Sequence, residues 1–98
     1  MGFTNNTHSF TETDIAAYAP TGSGVYGIYN GSANEWIYVG EAGNIETRLY
    51  EHYRKQSEQS LRIWRRNPTG FVFETVAGEL ARKARERVLI AELKPTAN

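Results

Sequence analysis

Two short stretches, Gly24-Val25-Tyr26-Gly27-Ile28-Tyr29 and Glu35-Trp36-Ile37-Tyr38-Val39-Gly40, decide the fold. Both are rich in β-branched and aromatic residues, and Asn30-Gly31-Ser32-Ala33-Asn34 between them is a turn-forming run, so together they predict a β-hairpin. Period-2 alternation puts Tyr26 and Ile28 on one face of the first strand and Trp36, Tyr38 and Gly40 on one face of the second. A register pairing Tyr26 with Tyr38 brings both phenols to one face.

Outward from the hairpin, Asn44 can cap a helix whose buried stripe is Ile45, Leu49 and Tyr53, with Arg48 and His52 flanking it. A second helical stretch, Gln59 to Arg66, carries Leu61 and Trp64 and is broken by Asn67-Pro68-Thr69-Gly70. Phe71 to Val76 reads as a third strand. Glu79 to Leu93 reads as a helix with an apolar stripe of Leu80, Ala84, Val88 and Ala91 and an i, i+4 ion pair between Glu79 and Lys83, ended by Pro95. Upstream, Thr11 or Thr13 can cap a short helical turn through Tyr18 that Pro20 stops, and residues 1–10 are expected to be a flexible terminus. The order ββααβα predicts an α/β protein of the α+β type, a small three-stranded antiparallel sheet flanked by helices, within a single domain spanning 1–98.

The 98 residues are too few for two domains, and 40% hydrophobic with 22% charged residues is a globular composition. Without cysteine there is no disulfide framework, thiolate metal site or thiol nucleophile. No apolar run approaches the ~20 residues of a membrane span and no secretion signal is present, so a soluble, cytoplasmic protein without membrane partners is expected. The charge is polarised: residues 1–47 hold five acids and no base, whereas from Arg48 onward eleven bases face six acids, a net +5. Such asymmetry points to a polyanion surface, with Arg54, Lys55, Arg62, Arg65 and Arg66 as its densest patch, or else to a solvated helix face.

Glu86 is the oddity of the last helix, since it shares a face with Leu89, Ile90 and Leu93. A carboxylate there needs compensation, and periodicity favours Arg82, one turn earlier, over a divalent metal. Arg48 and His52, one turn apart, can bind a phosphate together with the Tyr26 and Tyr38 hydroxyls. Gly40-Glu41-Ala42-Gly43-Asn44 looks like a phosphate loop at a helix start, but Glu41 inside it argues against that role. No GxxxxGK loop, paired metal-ligand histidines or nucleophile-elbow serine occurs.

These residues resemble the GIY-YIG nucleases. Gly24-Val25-Tyr26 is similar to the family's GIY element and Tyr38-Val39-Gly40 to its YIG element. Arg48 stands where the family has its helix arginine, and His52 matches the His or Tyr four residues later. The segment from Glu86 to Asn98 resembles the terminal signature: a metal-binding Glu, an aliphatic run, Lys94-Pro95 and a final Asn. The resemblance implies a divalent-metal-dependent DNA endonuclease with Glu86 as sole protein ligand of one Mg²⁺ or Mn²⁺ ion. It implies that Tyr26 orients or deprotonates the attacking water with His52 as proton relay, and that Arg48 neutralises charge on the scissile phosphate. Tyr38 then hydrogen-bonds a phosphate oxygen or the water, and Asn98 fixes the geometry; Gly24, Gly40 and Asn44 are structural.

Glu41 departs from the Lys that several members carry after the second element, and it can weaken binding or hold a second cation. The expected partner is nucleic acid, DNA ahead of RNA, with a separate DNA-binding domain or protein partner outside this chain. Two alternatives remain open from sequence. One is a noncatalytic nucleic-acid-binding module using the basic patch with stacking on Tyr53 or Trp64. The other is a protein-interaction domain anchored by Trp36 or Trp64.

Overall fold

The computed structural model of the protein describes Phe3 and residues 7–98. Its elements run β1 (His8–Ser9), α1 (Glu12–Tyr18), β2 (Gly24–Asn30), β3 (Glu35–Ala42), α2 (Ile45–Tyr53), α3 (Glu58–Trp64), β4 (Gly70–Thr75) and α4 (Glu79–Leu93). The sheet is antiparallel, in the order β1-β4-β2-β3. It therefore has four strands rather than the expected three. The fourth is His8–Ser9, paired with Phe71 and Gly70.

Of the start expected to be flexible, Phe3 and residues 7–10 are described. Phe10 is buried, and Phe3 packs against the cluster of Val25, Val39 and Leu89. Residues 1, 2 and 4–6 lie outside the described residues. Phe3 and Phe10 are two apolar contacts that the polar composition of the segment hid.

The hairpin forms as predicted, but its register differs. Asn30 pairs with Glu35 and Tyr29 with Trp36, after which the register shifts, so that Ile28 faces Tyr38 and Tyr26 faces Gly40. Ile37 is the extra residue of a β-bulge. Without it the hairpin would place Tyr38 opposite Gly27, on the face away from Tyr26. With it, Ile37 and Tyr38 join Tyr26 in one core cluster. Trp36 leaves the expected Tyr38 face and packs on Phe3 and Tyr29, close against Gly27.

Two clusters flank the sheet. The larger gathers Tyr26, Ile28, Tyr38 and Phe71 from the strands with Ile15, Ile45, Leu49 and Ile63 from α1, α2 and α3. The smaller joins Val25 and Val39 to Leu89, Ile90 and Leu93 of α4. The helix starts follow local chemistry: Thr11 caps α1, Asn44 caps α2 and Ser57 caps α3, each accepting from a backbone N–H three residues on. The expected Ile45 and Leu49 stripe is buried, with Tyr53 partly so.

Two helix faces differ from expectation. In α3, Leu61 is exposed and Ile63 fills the core. In α4, Leu80, Ala84, Val88 and Ala91 all lie on the solvent side, Leu80 at 87% exposure. The helix instead buries the face carrying Glu86, Leu89, Ile90 and Leu93. A stripe of four spaced apolar residues was read as the core face. The competing stripe wins because its larger side chains meet Val25 and Val39.

After α4 the chain lies along the free edge of β3. Thr96 N–H donates to Trp36 O at 3.0 Å and Ala97 N–H to Ile37 O at 2.7 Å. The Asn98 side chain continues the ladder, accepting from Val39 N–H at 2.8 Å and donating to Val39 O at 2.7 Å.

Gly24 sits where β2 is flanked on both sides. A Cβ built there would lie 2.0 Å from the Glu74 carbonyl oxygen, a backbone atom that cannot swing aside. Gly24→Ala is expected to cost about 1–3 kcal/mol of stability, read as a lower urea midpoint at unchanged slope.

Candidate active site

The site begins with Tyr26, which is fully buried in the middle of β2. Its hydroxyl lies 2.8 Å from Nε2 of His52, itself 1% exposed on the inner side of α2. Tyr38 completes a triangle of rings, with centroids 6.1 Å from Tyr26 and 5.2 Å from His52. Gly40 makes room for the arrangement: a Cβ there would stand 2.6 Å from the Tyr26 hydroxyl. The glycine of the second motif is thus a packing requirement of the tyrosine in the first.

Burial sets the electrostatics. It pushes the Tyr26 phenol well above its ordinary value, helped by Tyr38 and Glu86 and opposed by the charge and hydrogen bond of the Arg48 guanidinium. It raises Tyr38 as well, aided by Glu86 and opposed by Arg48, Arg62 and a hydrogen bond from Gln59. It lowers His52 to about 4, with Arg48 adding to the effect, so the imidazole is neutral at physiological pH. Arg48 also pairs with Glu51 at 3.1 Å on the helix surface.

Glu86 approaches from α4 and is partly buried. Burial raises its carboxyl above the usual carboxylate value, and the Glu41 charge adds to this, against a hydrogen bond from the Glu41 backbone and the charges of Lys83 and Arg87. The favoured partner was Arg82, but Arg82 instead binds Glu41, Nε to Oε1 at 2.6 Å. Among the described residues no ion pair involves Glu86. The reason is reach: Arg82 lies over the turn near Gly43, where Glu41 is presented to it. The predicted Glu79–Lys83 pair does form, at 3.1 Å.

No group of three or more His, Asp or Glu side chains among the described residues gathers to hold a metal. The donor chemistry suits a hard divalent cation held by one carboxylate and otherwise by water and substrate oxygens. Glu86 offers one carboxylate without an ion-pair partner among the described residues, and its charge reaches both phenols.

The predicted basic patch divides. Arg62, Arg65 and Arg66 of α3 and its C-terminal turn line a cleft of about 270 Å³ with Thr96 and Ala97 of the tail. Arg62 is near enough to Tyr38 to act on it. Arg66 is paired with Glu35 at 2.8 Å. Arg54 instead bonds Glu12 at 2.9 Å and lies over the Tyr50 ring, and Lys55 lies over Trp64. The proposed stacking aromatics are engaged in the core: Tyr53 packs on Phe10 and Trp64, and the Trp64 indole donates to His52 O at 2.9 Å.

Sequence reasoning missed Ser57, Ser60 and Gln59. Ser60 Oγ is 3.0 Å from Nδ1 of His52 and 2.8 Å from Ser57 Oγ. The spacing Ser57-x-x-Ser60 at a helix start is the available signal, although it fits no nucleophile context.

A sheet with Tyr26, Tyr38 and Gly40 on adjacent strands, an Arg48/His52 helix and a Glu86 helix define a small α+β domain with a polar site around one buried phenol. Residues 22–98 match the GIY-YIG catalytic domain, and the chain belongs to that family. It is 35% identical over 82 residues to UvrABC system protein C of Bradyrhizobium diazoefficiens, an alignment covering 82% of this chain and 12% of that relative. The GIY-YIG N-terminal endonuclease domain of UvrC from Thermotoga maritima, solved bound to its catalytic divalent cation, magnesium, superposes with a TM-score of 0.71 at 28% identity. That match covers 86% of this chain and 94% of the other. A point mutant of the same domain bound to its divalent cation gives a TM-score of 0.70 at 28% identity over 86% and 93% of the two chains.

The buried histidine makes stability pH-dependent in a defined direction. An unfolded His titrates near ~6.5 and the folded His52 at about 4. Between those values the unfolded chain binds the extra proton, so stability present at pH 7 is lost on acidification. The loss from His52 is expected to be roughly 3 kcal/mol. The raised Glu86 carboxyl works in the opposite sense, so the contribution is read as the difference between the natural chain and His52→Phe in urea titrations from pH 7 to pH 4. The variant should show the shallower acid loss.

Proposed function

We propose that this chain is a divalent-metal-dependent endonuclease that hydrolyses phosphodiester bonds in DNA. The observation that carries the reading is the buried Tyr26–His52 hydrogen bond, with the Arg48 and Glu86 charges both acting on the phenol. Water attacks phosphorus and the bond to the leaving 3′ oxygen breaks, that oxygen taking a proton from solvent. Tyr26 takes a proton from the water as its own passes to Nε2 of His52, so the pair carries one proton without a free hydroxide. Arg48 stabilises charge growing on the phosphate, and Tyr38 donates to a phosphate oxygen or orients the water. Asn98 holds Val39, the residue between Tyr38 and Gly40, and so fixes the strand that supports both. Glu86 would hold a Mg²⁺ or Mn²⁺ ion, whose Lewis-acid charge would serve the phosphodiester and offset the carboxylate that raises both phenols.

We place the DNA strand along the cleft of Arg62, Arg65 and Arg66, which opens beside Tyr38 and the tail. Arg62 and Arg65 form no ion pair among the described residues, so their guanidinium groups are available to phosphates. So few contacts give modest affinity, and a separate DNA-binding domain or protein partner is the proposed source of more.

The reading is tested by incubating circular single-stranded DNA and supercoiled plasmid with the natural chain and with Glu86→Ala, in Mg²⁺, Mn²⁺ or EDTA. Cutting is expected only from the natural chain with metal. Binding without cutting under every metal condition would favour the noncatalytic module instead. In fluorescence titrations against salt, Arg62→Ala and Arg65→Ala are each expected to weaken DNA binding and lower the salt slope by about 1. Arg54→Ala, whose partner is Glu12, should change the slope less.

A further inference from the structure

The hydrogen-bond network behind His52 has a definite direction. Ser60 is fully buried, and its hydroxyl meets three groups: Nδ1 of His52 at 3.0 Å, Ser57 Oγ at 2.8 Å and the Glu51 carbonyl at 3.2 Å. A hydroxyl has one proton to give. The Glu51 carbonyl can only accept, so it receives the Ser60 proton. Ser57 Oγ already accepts from Ser60 N–H at 3.1 Å, which frees its own proton for Ser60 Oγ. The remaining lone pair of Ser60 Oγ therefore faces Nδ1, and that nitrogen must be the one carrying hydrogen.

The other end of the ring leads to the same assignment independently. The Tyr26 hydroxyl is fully buried, and its hydrogen-bond partner is the His52 ring. The phenol proton then needs an acceptor inside the core. Among the described residues, His52 Nε2 at 2.8 Å is the one placed to accept it. A proton on Nε2 would turn a donor toward the phenol oxygen and leave the phenol hydrogen unsatisfied at a fully buried position.

We infer that Ser60 is a positioning residue for the proposed hydrolysis, holding His52 as the Nδ1–H tautomer so that Nε2 is open to the Tyr26 proton. The catalytic consequence rests on the endonuclease reading; the tautomer does not. When Nε2 takes the proton, Nδ1–H keeps its bond to Ser60 and the new Nε2–H points back at the phenolate. No side chain has to turn. The charged groups that act on the ring and phenol are Arg48 from α2 and Glu86 from α4, and neither touches Ser60.

The test is a ¹⁵N–¹H correlation of the His52 ring at neutral pH in the natural chain, beside Ser60→Ala and Ser57→Ala. The expected spectrum of the natural chain shows Nδ1 protonated and Nε2 bare. Ser57→Ala should keep that pattern, because Ser60 remains the acceptor. Ser60→Ala should populate the Nε2–H form, lower kcat by about 10-fold or more with little change in KM for DNA, and move the pH profile towards alkali. A natural chain protonated at Nε2 overturns the inference, whether or not the variants fold. So does a folded Ser60→Ala with unchanged ring resonances. An expected ring spectrum from a chain that cuts no DNA would sink the endonuclease reading and leave the tautomer standing.

Discussion

One extra residue in β3 governs the whole arrangement. The hairpin closes with Asn30 opposite Glu35, a register that would send Tyr38 to the far face of the sheet. The bulge at Ile37 reverses the alternation from that point on, so Tyr38 and Gly40 both come to the face that carries Tyr26. Everything at the site presupposes this. Gly40 falls under the Tyr26 ring, Tyr38 falls beside it, and Trp36 is released to close the opposite face over Gly27. The tail reinforces the same strand, since Ala97 bonds the bulged Ile37 and Asn98 bonds Val39 through both ends of its amide. A β-bulge weakens a ladder locally, and here the edge is supported at that place by a second run of hydrogen bonds.

Within that frame, burial acts on two titratable groups in opposite senses. It disfavours the phenolate of Tyr26 and the imidazolium of His52 alike, so the resting pair is neutral and its shared proton stays on the tyrosine. A neutral pair is the arrangement that low-dielectric surroundings tolerate. Its activation calls for positive charge near the phenol, and Arg48 already contributes some. Glu86 has the contrary effect on both phenols, which ties its chemistry to theirs: a cation that compensates Glu86 also relieves Tyr26 and Tyr38. The carboxylate and the phenols lie on different elements, yet they form one electrostatic unit.

Much of this could be read from sequence because it rests on short-range rules. The hairpin follows from β-branched runs around a turn, the helix starts from Thr11 and Asn44, and the buried face of α2 from its 3.6-residue period. The family resemblance brings Tyr26, Tyr38, Arg48 and His52 together, whereas the elements alone leave the face of Tyr38 to a register that the bulge decides. What escaped depended on long-range partners. His8–Ser9 is a strand only because β4 offers an edge, and two residues carry no periodicity. The face of α4 was misread because Leu80, Ala84, Val88 and Ala91 satisfy the helical period as well as the true face does, and only contact with Val25 and Val39 separates them. The bulge was invisible because Ile37 suits either side of the strand. Ser60 was overlooked because its value lies in two lone pairs and one proton, which become specific only when His52, Ser57 and Glu51 surround it.

The pairing of Arg82 with Glu41 shows how a local departure is absorbed. An acid after the second motif brings negative charge to the rim of a site meant for an anion, and sequence alone suggested either weaker binding or a second cation. In the structure Glu41 is paired with Arg82. Both side chains are partly buried, about a fifth exposed, so their charges largely cancel within the protein. Arg82 is thereby withdrawn from Glu86, the partner that helical spacing assigned to it. Glu86 keeps a raised carboxyl because the remaining Glu41 charge lies close by and no arginine neutralises it directly. The acid that seemed to oppose an anionic substrate thus draws Arg82 away from Glu86, whose carboxyl stays raised even though Lys83 and Arg87 act against that shift.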